Sequence, residues 1–272
     1  MSQGLAKRAL KISPSPTMAI TAKAKQMKAD GIDVIGFGAG EPDFDTPENI
    51  KDAAIKAIRD GFTKYTPSTG TLELKKAIAD KFQKDNNITY KPSEIFVACG
   101  AKHNIFNIIM ALVDPGDEVV ILTPYWVSYP EMVKAADGNP VFVKLTPDFS
   151  LDFPALKNAV TGRTKIIIMN SPNNPTGSIL KKAEIEQAAQ LVIDKKLYLI
   201  SDEIYEHLIY DGEKHISPAA LGAEIKARTF TVNGVSKSHS MTGWRIGFAG
   251  GPEALIKGIG NLQDHSTSNP TS

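Results

Sequence analysis

Seven short runs rich in β-branched and aromatic residues recur from about Glu94 onward, and they restrict the fold more than any other feature of the chain. They are Ile95–Val97, Glu118–Leu122, Val141–Val143, Lys165–Met169, Leu197–Ile200, Thr229–Val232 and Ile246–Ala249. Segments of helical periodicity, such as His103–Leu112 and Lys181–Asp194, separate several of them. A strand with one face in water alternates apolar and polar residues, whereas a strand covered on both faces reads as a continuous apolar run. The pattern therefore predicts an α/β fold, with one mostly parallel seven-stranded sheet covered by helices. Two more helices are expected over 48–60 and 71–85, where Ile50, Ala54, Ile58 and Leu74, Ile78, Phe82 fall at helical spacing.

Charge and cysteine usage exclude several classes. The 31 basic and 30 acidic residues leave a net charge of +1, so no global field directs the chain to nucleic acid or an anionic membrane. The lone Cys99 can form no internal disulfide and there is no paired-cysteine metal spacing, as expected in the reducing cytoplasm. No apolar run approaches the ~20 residues that a membrane helix needs, and the N-terminus lacks a signal-peptide core. Lys7, Arg8, Lys11, Lys23, Lys25 and Lys28 precede the first acid, Asp30, a bias shared by transit peptides and solvated arms. Ser13-Pro14-Ser15-Pro16 interrupts any continuous amphipathic helix and favours the arm. The last eight residues, from His265, read as loop.

The candidate chemistry lies at the ends of the expected strands. Lys237 sits in Asn-Gly-Val-Ser-Lys-Ser-His-Ser-Met-Thr-Gly-Trp-Arg, Asn233 to Arg245, where small residues crowd its amine. Burial and a nearby cation favour the neutral amine that a covalent aldehyde anchor needs. Asp202, after Leu197–Ile200, puts a carboxylate where open α/β sheets bind ligands. It can keep a pyridinium ring protonated, or it can cap the next helix with Glu203 as a surface acid. Tyr205 shares its face if the chain turns helically.

The rigid turn Asn170–Gly177, with two prolines and a glycine, can aim the Asn173 or Asn174 amide into a crevice. Cys99-Gly100-Ala101-Lys102 joins a strand end to a helix start, which attracts an anion, and the Arg245 guanidinium could grip phosphate oxygens. Trp126 could stack on an aromatic ligand or fill the core. Rival motifs fail. In Gly36-Phe37-Gly38-Ala39-Gly40, Glu41 and Pro42 replace the last glycine and helix start of a dinucleotide loop, leaving a backbone turn. Glu203, Glu206 and His207 lack metal-site spacing and read as surface charges, and there is no Gly-x-Ser-x-Gly elbow.

With those residues in view, the chain resembles the class-I aminotransferases that use pyridoxal 5'-phosphate, and among them the bacterial aspartate aminotransferase group. The likeness runs in order through Gly-Ala-Gly-Glu-Pro-Asp-Phe-Asp-Thr-Pro (38–47), Tyr65-Thr66-Pro67, Asp-Pro-Gly-Asp-Glu-Val (114–119), Pro-Tyr-Trp-Val-Ser-Tyr-Pro (124–130) and the segments above. It implies that Lys237 is the covalent anchor and base, that Asp202 pairs with the pyridine nitrogen, and that Tyr205 and Asn174 hydrogen-bond the ring oxygen. It also implies that Arg245, the Ala101–Lys102 turn and Tyr65 of a second subunit hold the phosphate, and that Trp126 stacks on the ring.

By the same likeness Gly40, Trp126 and Asn174 meet the amino-acid substrate, aspartate with 2-oxoglutarate is the expected pair, and the protein is a homodimer with shared sites. Residues 1–45 become an arm with part of a small domain, and 46–272 the large cofactor-binding domain. Chains of the family continue past the position of Ser272 into the segment bearing the arginine for the substrate α-carboxylate. The resemblance therefore implies that these residues are a truncated form with poor turnover. Gly234 stands where relatives can carry a hydroxyl. A carbon–sulfur β-lyase with the same cofactor, or a non-catalytic ligand-sensing domain, would share these residues.

Overall fold

In the computed structural model, which describes residues 4–36, 38 and 40–272, all seven runs form strands of one sheet. They are β1 (Ile95–Ala98), β2 (Glu118–Thr123), β3 (Asn139–Lys144), β4 (Thr164–Asn170), β5 (Tyr198–Asp202), β6 (Thr229–Gly234) and β7 (Gly247–Gly250), in the order β1-β7-β6-β5-β4-β2-β3. β3, β2, β4, β5 and β6 pair in parallel, and β7 runs antiparallel to both β6 and β1. Antiparallel neighbours need no crossover helix, so residues 235–246 pass from β6 to β7 as a loop at one edge of the sheet.

Continuous apolar strands feed two cores because successive side chains point to opposite faces. Val119, Ile121, Ile166 and Ile168 enter one core with Ile105, Ile108 and Ile109 of α5 (Ala101–Leu112) and Ile256 and Ile259 of α9 (Glu253–Asp264). Their neighbours Val120, Leu122, Ile167 and Met169 enter the other with Leu156 of α7 (Phe153–Ala159) and Ile185, Ala188 and Val192 of α8 (Lys182–Asp194). Each such side chain contributes about 1.5–3 kcal/mol on burial. A third cluster joins Ile78 and Phe82 of α4 (Leu72–Asn86) to Ile95, Val97 and Phe248. Thr71 caps α4 by accepting from the Leu74 N–H at 3.3 Å, and the left-handed Asn87 ends it.

The basic N-terminal segment is interrupted around its prolines, giving α1 (Lys7–Leu10) and α2 (Pro16–Ala29). It is pinned to α6 (Ser128–Ala135) and the turn after it: the Ser13 N–H donates to Glu131 at 2.7 Å, and Lys11 pairs with Asp137 at 2.7 Å. Neither α2 nor α3 (Glu48–Arg59) buries a residue. Among the described residues no helix is long and apolar enough to cross a membrane.

Two acids expected on the surface are inside. Glu203 is 0% exposed and Glu206 7%, because donors from distant segments reach them. Ser201, Ser217 and His215 contact Glu203, Lys81 contacts Glu206, and Asn86 contacts both. Asp202 caps no helix: residues 204–207 form a hydrogen-bonded turn, in which the Glu206 N–H donates to the Glu203 carbonyl at 3.0 Å. Phe37 and Ala39 of the glycine run lie outside the described residues.

Candidate active site

The parallel strands end along one edge of the sheet, and so does β1, while β7 begins there. Asp202 is the last residue of β5 and is 4% exposed. The Tyr129 hydroxyl donates to its Oδ2 at 2.6 Å and the Ile204 N–H to its Oδ1 at 3.3 Å. Burial pushes the Asp202 carboxyl up to about 6, Glu203 adding to the rise while Tyr129, Ile204 and Lys237 oppose it. The Asn170 amide, at the end of β4, donates to the Asp202 carbonyl at 2.9 Å and locks the two strand ends together.

The same Asn170 accepts from the Asn174 N–H at 2.7 Å, so the rigid turn after β4 starts from a fixed point. The Asn174 side-chain amide then donates to the Tyr205 hydroxyl at 3.2 Å. Burial, aided by the Asp202 charge, pushes the phenol of Tyr205 up, against the Asn174 hydrogen bond. Asn173 instead donates to the Pro124 carbonyl at 3.2 Å and braces the turn.

Lys237, on the loop between β6 and β7, points its amine at the Gly40 carbonyl, with Nζ 5.9 Å from the Tyr205 ring centroid. Burial lowers its proton affinity and Arg245 lowers it further, while Glu41 and Asp202 pull the other way. This loop also holds the segment after Gly40. Thr46 donates to the Ser240 carbonyl at 2.6 Å and accepts from the Trp244 indole at 3.0 Å.

An anion cradle forms where β1 meets α5. Gly100 has φ +90°, and a Cβ there would lie 2.5 Å from Arg245 Nη2. Arg245 itself donates to the Cys99 carbonyl at 3.0 Å and the Thr242 carbonyl at 2.7 Å. Lys102 lies over the half-buried Trp126 ring, 4.9 Å from its centroid, and burial and Arg245 both lower its proton affinity. The first turn of α5 contains no acid, so two cations and a helix N-terminus face an anion without competition. Ala101 opens that helix. Tyr65, in contrast, is 92% exposed on the loop between α3 and α4.

Sequence reasoning missed Tyr129 and Asn170, which orient the expected residues. Tyr129 stands three residues after Trp126 and packs edge-to-face against it at 5.3 Å, a spacing that could have suggested a shared face. Two groups, Glu203 with Glu206 and His215, and Asp85 with Glu206 and His207, bring acids and histidines close enough to surround a cation. Lys81 and Asn86 already serve Glu206, and His215 serves Glu203.

A carboxylate that can face a protonated ring nitrogen, an amine with weakened hold on its proton, a phenol–amide pair and an anion cradle suit a phosphorylated aromatic aldehyde. The sequence profile of aminotransferase class I and II matches residues 32–272. The chain belongs to this family. It is 53% identical to the aspartate aminotransferase of Bacillus sp. (strain YM-2), over all of this chain and 70% of that protein. With the aspartate aminotransferase of Bacillus subtilis (strain 168) it shares 54% identity, over 98% of this chain and 69% of that one. The aspartate aminotransferase from Thermus thermophilus with maleate superposes with a TM-score of 0.96 at 46% identity, covering 99% of this aminotransferase chain and 70% of that one.

Family chemistry is amino-group transfer with pyridoxal 5'-phosphate, and the donor set of this aminotransferase fits that cofactor. Gly247 sharpens the fit: a Cβ there would fall 2.1 Å from the Ala101 nitrogen, so only glycine lets β7 pass the cradle this closely.

Proposed function

We propose that this aminotransferase moves the amino group of an L-amino acid, aspartate foremost, to 2-oxoglutarate. The names of its relatives support aspartate, and the observation that carries the chemistry is a partly buried Lys237 amine with weakened hold on its proton, within the field of the buried Asp202 carboxyl. In this reading Arg245, Lys102 and the Ala101 end of α5 hold the cofactor phosphate, with Tyr65 supplied by a second subunit. Trp126 covers the ring face, Asp202 faces the ring nitrogen, and Tyr205 and Asn174 hold the ring oxygen. Gly40, Trp126 and Asn174 contact the amino acid.

When bound, the cofactor supplies an aldehyde that captures the amino group and a ring that accepts the electrons left when the α-proton departs. Lys237 anchors that aldehyde. Once displaced by substrate, its neutral amine can take the proton from the substrate Cα, a role favoured by its burial and by Arg245. Asp202, ionised, keeps a proton on the facing nitrogen. The hydroxyl of Tyr205, steadied by Asn174, donates to the developing oxygen charge.

The same reading makes residues 1–45 an arm with part of a small domain and 46–272 the cofactor-binding domain of a homodimer acting in the cytoplasm. The exposed apolar residues Ile55, Ile58 and Phe62 support a subunit contact there. Visible absorbance with added pyridoxal 5'-phosphate, for wild type and Lys237→Ala, tests the anchor. A borohydride-reducible band is expected in wild type and absent from the variant, and identical titrations would remove Lys237 from its role. Single-turnover conversion of aspartate to its oxo acid tests the substrate.

A further inference from the structure

The turn that presents Asp202 and Tyr205 also carries two other buried acids, and neither takes part in the reaction described above. Glu203, adjacent to Asp202, is gripped from three parts of the chain. Ser201 and Ser217 hydroxyls donate to its Oε1 at 2.7 and 2.8 Å, while His215 Nε2 lies 2.8 Å and the Asn86 amide 3.3 Å from its Oε2. Glu206 accepts from the Asn86 amide at 2.5 Å and from Lys81. These donors offset the cost of burying the two carboxylates. Glu203 also acts on its neighbour, adding to the rise that burial gives the Asp202 carboxyl.

Three anions, Asp202, Glu203 and Glu206, thus crowd one turn. Lys81 answers Glu206. The group that answers Glu203 is His215, whose side chain is 9% exposed. Burial, the largest influence, works against its second proton, as does Lys81, yet the carboxylates of Glu203 and Glu206 outweigh them and raise its proton affinity. His215 Nδ1 has no hydrogen-bond partner among the described residues, so the neighbouring carboxylates rather than a second hydrogen bond favour that proton. The other groups around the cluster are Asp85 and His207 at its rim and the phenol of Tyr90, which burial pushes upward with a smaller push from Glu203.

We propose that Glu203 and His215 are positioning residues, forming a buried ion pair that fixes the turn aiming Asp202 and Tyr205 and supplies the countercharge that lets two adjacent carboxylates stand ionised. The proposal rests on the reading that Asp202 serves the cofactor ring, but its test does not. Glu203→Gln deletes an anion beside Asp202, and His215→Gln deletes the cation while keeping an amide that can donate to Glu203.

The carboxyl titration of Asp202, followed by carbon-13 NMR in protein free of cofactor and assigned with Asp202→Asn, reads both variants. Its midpoint moves down in Glu203→Gln and up in His215→Gln, each by on the order of one pH unit. Ser217→Ala, which removes a donor and no charge, leaves the midpoint near that of wild type while lowering the melting temperature. Shifts of the same sign in both glutamine variants, or none in either, would mean the pair only packs, and the proposal is then wrong. His215→Asn replaces the glutamine variant if that chain does not fold. Failure of the Lys237 absorbance test would leave this result standing, so the two readings fail separately.

Discussion

The Tyr129 hydroxyl donates to Asp202 Oδ2 across 2.6 Å of fully buried space, joining the first turn of α6 to the end of β5. Burial pushes the Tyr129 phenol far above its ordinary range, and the neighbouring Asp202 charge adds to the rise. Tyr129 therefore keeps its proton, and the hydrogen bond has one sense. A donor so constrained favours an ionised Asp202 and leaves the carboxylate free to accept from a second donor in the crevice.

Tyr129→Phe keeps the ring and deletes that donor. With the desolvation unchanged, the Asp202 carboxyl rises above its wild-type value of about 6. A hydrogen bond to a charged group contributes about 1.5–3 kcal/mol. The affinity for pyridoxal 5'-phosphate should then begin to fall, on acidification, on the order of one pH unit earlier than in wild type. Fluorescence titration of cofactor across pH checks this, and superimposable curves would contradict it.

Asp202→Asn should change how the cofactor-free chain responds to pH. The folded carboxyl titrates at about 6, above its ordinary value of 3.8, so the folded state binds this proton more tightly than the unfolded state. The stabilisation is full below pH ~4 and is lost as pH rises through about 6, on the order of 2–3 kcal/mol. The asparagine variant lacks that contribution. Its urea midpoint, compared with wild type between pH 4 and 7, should show a smaller decline as pH rises. An equal decline would show that Asp202 is not the group responsible.

The strands were readable because burial on both faces leaves its mark residue by residue, and Ile166–Met169 needs no distant partner to be apolar. The candidate residues were readable for a related reason, since a strand end such as Asp202 inherits its place from the run before it. Glu203 and Glu206 were not. An acid lies inside only when donors reach it, and theirs come from Asn86, His215 and Ser217, up to 120 residues away. Tyr129 is 73 residues from the carboxylate it serves, a separation that local periodicity cannot register.

Gly247→Ala should destabilise the fold and disturb the anion cradle together. Its Cβ would meet the Ala101 nitrogen at 2.1 Å and the Gly100 carbonyl carbon at 2.3 Å, both backbone atoms that can move only with β7 or the start of α5. A loss of about 1–3 kcal/mol follows from such overpacking, read as a lower urea midpoint. Gly258→Ala in α9 is the control: a Cβ there meets no atom of the described residues within 4 Å. That change should stabilise by about 0.5–1 kcal/mol through helix propensity. If both substitutions stabilise, the approach of β7 to the cradle is not tight.

Arg245→Lys keeps the charge and removes the fork. Two guanidinium N–H groups are already committed, to the Cys99 carbonyl at 3.0 Å and the Thr242 carbonyl at 2.7 Å, and these contacts hold the side chain against Gly100. The remaining donors can face a phosphate already oriented, whereas a lysine ammonium must give up one task to perform the other. Losing one or two charge-assisted hydrogen bonds, at about 1.5–3 kcal/mol, weakens cofactor affinity on the order of 10- to 100-fold. Lys237 is untouched, so at saturating cofactor the reducible absorbance band should reach its wild-type intensity. Inorganic phosphate should also compete less well with cofactor in the variant than in wild type. Equilibrium titrations give all three results, and an unchanged dissociation constant would move the phosphate away from Arg245.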